Sequence, residues 1–109
     1  MASGETGHVT GKYTGNGTSQ DIALSFAPKI VVVMNVTDNI IAIKSKQQAN
    51  GKHTQIAAAG TISQIATGGI SIPDQQPVPA PAGDSWKFSV GDNAGVNAAD
   101  KECLFMAWE

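Results

Sequence analysis

The side chains able to do chemistry in this chain are few and scattered. His8 and His53 supply the imidazoles, Cys103 the thiol, and Asp92-Asn93-Ala94-Gly95 a short run of oxygen donors. A histidine that binds metal or moves a proton needs further His, Cys or carboxylate groups at ligand spacing. Neither histidine sits in such a set, so both are read as solvated residues at a turn or strand edge. Nucleophilic catalysis needs a serine on a sharp strand-to-helix turn, as in Gly-x-Ser-x-Gly, or a cysteine with a positioned histidine. Neither pattern occurs. Cys103 falls in an apolar run near the C-terminal end and reads as a buried small hydrophobe.

Two loop motifs also fall short of their chemistry. Asp92-Asn93-Ala94-Gly95 lacks the alternating oxygen ligands and closing Glu of a helix-loop-helix calcium site. Gly15-Asn16-Gly17 lacks the third glycine, the lysine and the helix N-terminus of a phosphate-cradling loop, and reads as a turn. The expectation is therefore no catalytic residue, no metal and no cofactor: a non-enzymatic protein that acts through its surface.

The elements that would carry such a surface follow from composition and pattern. A chain of 109 residues fits one domain, since single cores typically serve about 100–150 residues. Hydrophobic residues make up 41% of it, enough for a core without disulfide or metal staples. Charged residues are 15%, against roughly 25% in an average soluble domain, with Thr, Ser, Asn, Gln and Gly in their place. A net charge of −2 leaves no cationic face to neutralise phosphates, so no nucleic-acid partner is expected. No apolar stretch approaches the ~18 residues of a membrane span, and no secretion signal opens the chain, so no membrane association is expected.

Short segments alternate with period two, the signature of strands. Residues 9–14 form a first strand, Gly15-Asn16-Gly17-Thr18 a tight hairpin turn, and Ile22, Leu24 and Phe26 one face of a second strand. Residues 29–36, nearly all apolar and β-branched, predict a central strand buried on both faces. Thr37-Asp38-Asn39 turns the chain into a strand over residues 40–43, with 44–48 as its polar exit. Shorter strands follow around Asn50-Gly51, Gly60 and Gly68-Gly69. Trp86, Phe88 and Val90 alternate in a later strand, and residues 104–108 make the last; Trp86 and Trp108 are expected in the core. No segment supports a helix longer than a turn. The fold class is all-β: a single antiparallel β-sandwich or jelly-roll-like domain, with residues 1–7 as a flexible N-terminal segment.

Residues 73–83 stand apart. Their four prolines remove backbone donors and fix φ, which excludes a central strand. Extended as polyproline II, eleven residues span about 34 Å. The stretch reads as a Pro-rich extended surface loop, and within it Pro73, Pro77, Val78, Pro79 and Pro81 are the candidate partner-interface residues, as an arm across a neighbouring subunit or a ligand for an aromatic groove.

The order of motifs is itself informative. Gly11-Lys12-Tyr13-Thr14-Gly15-Asn16-Gly17-Thr18 is followed by Phe26-Ala27-Pro28-Lys29-Ile30-Val31-Val32-Val33. Later come Phe88-Ser89-Val90-Gly91-Asp92-Asn93-Ala94-Gly95-Val96-Asn97 and Phe105-Met106-Ala107-Trp108. Together they resemble a β-rich module of tailed-bacteriophage structural proteins, found at the ends of tail fibres and as small free-standing chains. With no fibre shaft, heptads or collagen-like repeat, the chain is most similar to the free-standing capsid decoration (staple or cement) type. It departs from that pattern in the proline-rich insert at residues 73–82. The resemblance implies a virion protein made in the bacterial cytoplasm. It would bind the major capsid protein on the outer capsid surface, bridge subunits and stabilise the shell, with homo-oligomers possible. The alternative is an adhesion or tail-fibre-type module that binds a bacterial surface glycan or protein, with Tyr13, Trp86 and Trp108 as candidate aromatic contacts.

Overall fold

The computed structural model describes residues 8–24, 26–72 and 87–109. The expectations placed on residues 1–7, on Trp86 and on Pro73, Pro77, Val78, Pro79 and Pro81 lie outside the described residues. The described chain forms β1 (His8–Thr14), β2 (Gln20–Ala23), β3 (Ile30–Asn35), β4 (Ile40–Ser45), β5 (His53–Ile56), β6 (Ile62–Ile65), β7 (Ile70–Ser71), β8 (Lys87–Val90), α1 (Ala94–Asn97) and β9 (Glu102–Trp108). A six-stranded sheet runs β1-β9-β3-β4-β5-β6 and a three-stranded sheet runs β2-β8-β7. Every pairing is antiparallel. The result is the all-β sandwich of the sequence reading, and its helix is a single turn.

Alternation builds the core between the sheets. Val31 and Val33 of β3, Ala42 of β4 and Cys103, Phe105 and Ala107 of β9 face inward from the large sheet. They meet Leu24, Phe26, Phe88, Val90 and Ile70 from the small sheet and its flanks. Phe88 and Phe105 join the layers edge to face, with ring centroids 5.3 Å apart. Gly11 lies opposite Phe105 in the β1–β9 register. A Cβ there would stand 2.6 Å from the ring's Cζ, so the absence of a side chain is what admits the ring.

Four expectations need correcting. Gly15-Asn16-Gly17-Thr18 is a turn, with Gly17 at φ 76°, but not a hairpin: β1 belongs to the large sheet and β2 to the small one. The loop is tied instead to the last residue of α1 and the segment after it. Gly15 donates its amide to Lys101 O, Gly17 to Asn97 O, and the Asn16 amide donates to Asn97 Oδ1. Buried Asn97 also donates from Nδ2 to Asn16 Oδ1, Thr18 O and Gly91 O, and accepts from Gln20 Nε2. Local turn chemistry was legible; the long-range acceptor that redirects the chain was not.

β3 is central, between β9 and β4, but buried on one face only. Val31, Val33 and Asn35 are enclosed, whereas Ile30 is 43% exposed and Val32 and Met34 are half-buried. Lys44 is no polar exit: it stays in β4, fully buried, and its Nζ donates to the carbonyls of Gln48, Ala49 and Lys52. The ammonium thereby organises the following loop from inside. Trp108, finally, is 38% exposed rather than part of the core, because its place in β9 follows Ala107 onto the other face.

Candidate functional site

The registers of β1 to β6 define what the large sheet presents on the side away from the core. Directly opposed residues of antiparallel strands share a face. One row therefore reads Thr10, Met106, Val32, Ile43, Thr54, Gln64; the next reads Lys12, Leu104, Met34, Ile41, Ile56, Ile62. A third holds His8, Trp108, Ile30 and Ser45. From Leu104 to Ile62 the second row is entirely apolar, and Lys12 is the single lysine, arginine or carboxylate side chain in the three rows. No described element covers this face: Ile41, Ile43 and Trp108 are each more than a third exposed, and Ile62 is 66% exposed. Shallow hollows between Leu104, Met106 and Met34, and between Met34, Val36 and Ile41, add relief.

Strand spacing of about 4.8 Å and a two-residue repeat of about 6.8 Å give these rows a flat area of roughly 520 Å², of which the apolar positions make up roughly 330 Å². The largest apolar patches on soluble monomers reach about 300–600 Å² and are often binding surfaces. The face thus lies in the functional range, with relief but no deep pocket.

The buried titratable groups lie on the opposite, inner side. His53, expected at a solvated edge, is fully buried at the start of β5. Its Nδ1 accepts the Ile70 amide at 3.3 Å, which leaves the proton on Nε2 to be donated to Gln55 Oε1 at 3.0 Å. Burial pushes the imidazole below its ordinary range; the Gln55 bond opposes this and the nearby Lys44 ammonium adds to it. Burial likewise lowers Lys44. With both ring nitrogens engaged, His53 is a structural crosspiece between the sheets.

Tyr13 and Cys103 form a second buried pair. Tyr13 Oη and Cys103 Sγ both donate to the Val96 carbonyl. Burial and the Cys103 neighbour hold the phenol well above its usual range; burial raises the thiol, against a lowering contribution from Tyr13. A protonated, buried thiol is a poor nucleophile. His8 is exposed on β1 opposite Trp108. Asn93, from the loop read against a calcium motif, caps α1 by accepting the Gly95 amide at 2.8 Å. Among the described residues, no three His, Cys, Asp or Glu side chains converge where a metal ion could bind. No helix among them is long and apolar enough to cross a membrane.

The structure thus separates residues that the sequence placed together and assembles others that it kept apart. Of the candidate aromatics among the described residues, Tyr13 packs inward on Phe105 at 6.4 Å between centroids, while Trp108 faces out. The outer face was missed, although its signal was present. Residues 30–34, 40–43 and 103–108 are apolar at both odd and even positions. A strand apolar on both faces requires either a second covering layer or a partner. Comparison with known proteins gave no matching family model, no similar curated protein and no similar solved structure.

Proposed function

We propose that this chain is a non-enzymatic structural protein of a bacteriophage virion that docks on the outer capsid surface and stabilises the assembled shell by bridging its subunits. The observation that carries the reading is the uncovered apolar face of the six-stranded sheet, with Met34, Ile41 and Leu104 at its centre. The motif order that resembles phage structural modules gives the face its partner, the major capsid protein.

Magnitudes fit a protein that works in many copies. A stable pairwise interface buries about 800 Å² per partner, and one outer face offers only about two-thirds of that. A single copy would bind weakly. On a lattice, contacts to two neighbouring subunits raise the effective concentration for the second event. Binding restricted to the closed shell then stabilises it by mass action.

The test is sedimentation of purified protein with empty expanded capsids and, separately, with host cells. Co-sedimentation with capsids that is lost in Met34→Lys supports the reading. Binding to cells and not to capsids would reverse it in favour of the adhesion module, which the outward-facing Trp108 beside Ile30 favours as a stacking surface for a sugar.

A further inference from the structure

A sandwich of two open sheets has four terminal strands, and in this molecule they are not equally guarded. Exposed edges present unpaired amides and carbonyls, and native proteins blunt them with charge, proline, bulges or brevity. β1 carries His8 and Lys12. β2 carries Asp21, which pairs with Lys87 at 3.0 Å. β7 is two residues long. β6, Ile62-Ser63-Gln64-Ile65, has none of these devices. Among the described residues it pairs only with β5, and no charged side chain occurs between residues 54 and 72. Ile62 is the most exposed large hydrophobic side chain of the described molecule.

We infer that β6 is a pairing edge at which a second copy of this chain adds its own β6, antiparallel and about a two-fold axis, to run two six-stranded sheets into one. The occupant follows from charge and symmetry. At an isologous contact each residue near the axis meets its own copy or a close neighbour of it, so any charge there repels itself. The edge strands with a charged side chain, β1 and β2, therefore suit this contact poorly, and β6 suits it well. Directly opposed residues must also share a sheet face. Pairing centred on Ser63 meets that condition within β6 itself, sets Ile62 against Gln64 of the second copy and covers the most exposed apolar side chain.

The consequence reaches the docking face. A two-fold axis perpendicular to the sheet keeps both outer faces on the same side and joins them across β6. The joined face offers roughly 1,000 Å², enough for the about 800 Å² per partner that a standard interface needs. This consequence rests on the docking reading; the pairing itself does not.

Sedimentation equilibrium of the purified chain, with no capsid present, tests the pairing. The expected result is a reversible dimer for the native chain and a monomer with an unchanged far-ultraviolet circular dichroism spectrum for Ile62→Lys. Because Ile62→Lys could act through misfolding, Ser63→Cys, at the residue that opposes its own copy, provides a second reading. Opposed Cα atoms in such a pair stand about 4.5–5.5 Å apart, within disulfide reach, so mild oxidation should give a covalent dimer. Val36→Cys, 45% exposed beyond the end of β3, serves as the control and should cross-link far more slowly. A native chain that stays monomeric at every concentration, a dimer indifferent to Ile62→Lys, or equal cross-linking of the two cysteine variants would each overturn the inference. Capsid binding is measured separately with Met34→Lys, so failure of one reading is distinguishable from failure of the other.

Discussion

His53 Nδ1 accepts the backbone amide of Ile70 at 3.3 Å, so one imidazole ties the start of β5 in the large sheet to β7 in the small one. The bond exists only while Nδ1 carries no proton. The same ring lies close enough to Lys44 for the ammonium to disfavour a second positive charge.

Stability should therefore fall with acid. The folded-state pKa of His53 is depressed and the unfolded value is about 6.5, so below that pH the unfolded chain binds the extra proton first. The contribution is fully present above about pH 6.5 and is lost progressively beneath it, at no more than about 1.4 kcal/mol per pH unit for one proton. Urea midpoints measured from neutral to mildly acidic pH should decline for the native chain and decline less for His53→Gln. Equal slopes would show that another group governs the acid limb.

Gly11→Ala should cost about 1–3 kcal/mol, the usual range for overpacking a well-filled core. The added methyl collides with the Phe105 ring, which cannot retreat freely because Phe88 packs against it edge-on. The double variant Gly11→Ala/Phe105→Leu should be more stable than the sum of the single losses implies, since the smaller side chain removes the collision. Thermal unfolding of the four proteins closes the cycle; strict additivity would rule out the collision as the cause.

These two residues show which parts of the molecule the sequence disclosed. Period-two alternation placed Phe88 and Val90 on a strand, a short apolar β-branched run did the same for Val31 and Val33, and the turn at Thr37-Asp38-Asn39 closed a hairpin because its signals are local. Asn35 Oδ1 accepts the amides of Thr37 and Asp38, two and three residues on. The destinations of Lys44, His53 and Gly15 were not legible. Two are decided by partners far along the chain, Ile70 for His53 and Lys101 and Asn97 for Gly15, and Lys44 by its inward register in β4 and the carbonyls of Gln48, Ala49 and Lys52 that receive its ammonium. The outer face was misread for a related reason. An apolar run announces that both sides of a strand avoid water, but not whether the second side is covered within the chain or by a partner.

Asn97→Ala should destabilise by about 2–4 kcal/mol, because removing a buried amide strands several polar groups at once. Asn97 holds the Asn16 amide, the Gln20 side chain and the Gly91 carbonyl together, and so fixes the passage from β1 to β2 between the sheets. Amide hydrogen exchange should show the loss of protection concentrated at residues 15–20. Loss spread evenly over the chain would mean that the side chain only adds to global stability.

Ile41→Lys and Ile43→Lys should leave stability within about 0.5–1 kcal/mol of the native chain, whereas Val33→Lys should prevent folding. All three exchange an aliphatic side chain for the same cation on neighbouring strands, and they differ only in the face from which it projects. Ile41 and Ile43 are already more than a third exposed, so a lysine there keeps its ammonium in water and lays its stem along the sheet. Val33 is fully enclosed, with Ala42 and Phe105 opposite it on the flanking strands, so a cation there would be stripped of water in the apolar core. The contrast isolates what the outer face does from what the core does: a substitution that spares the fold but abolishes co-sedimentation with capsids has removed a contact that exists only in the complex. Large destabilisation by Ile41→Lys would show instead that this face is covered within the chain itself, and its apolar rows would then belong to the core.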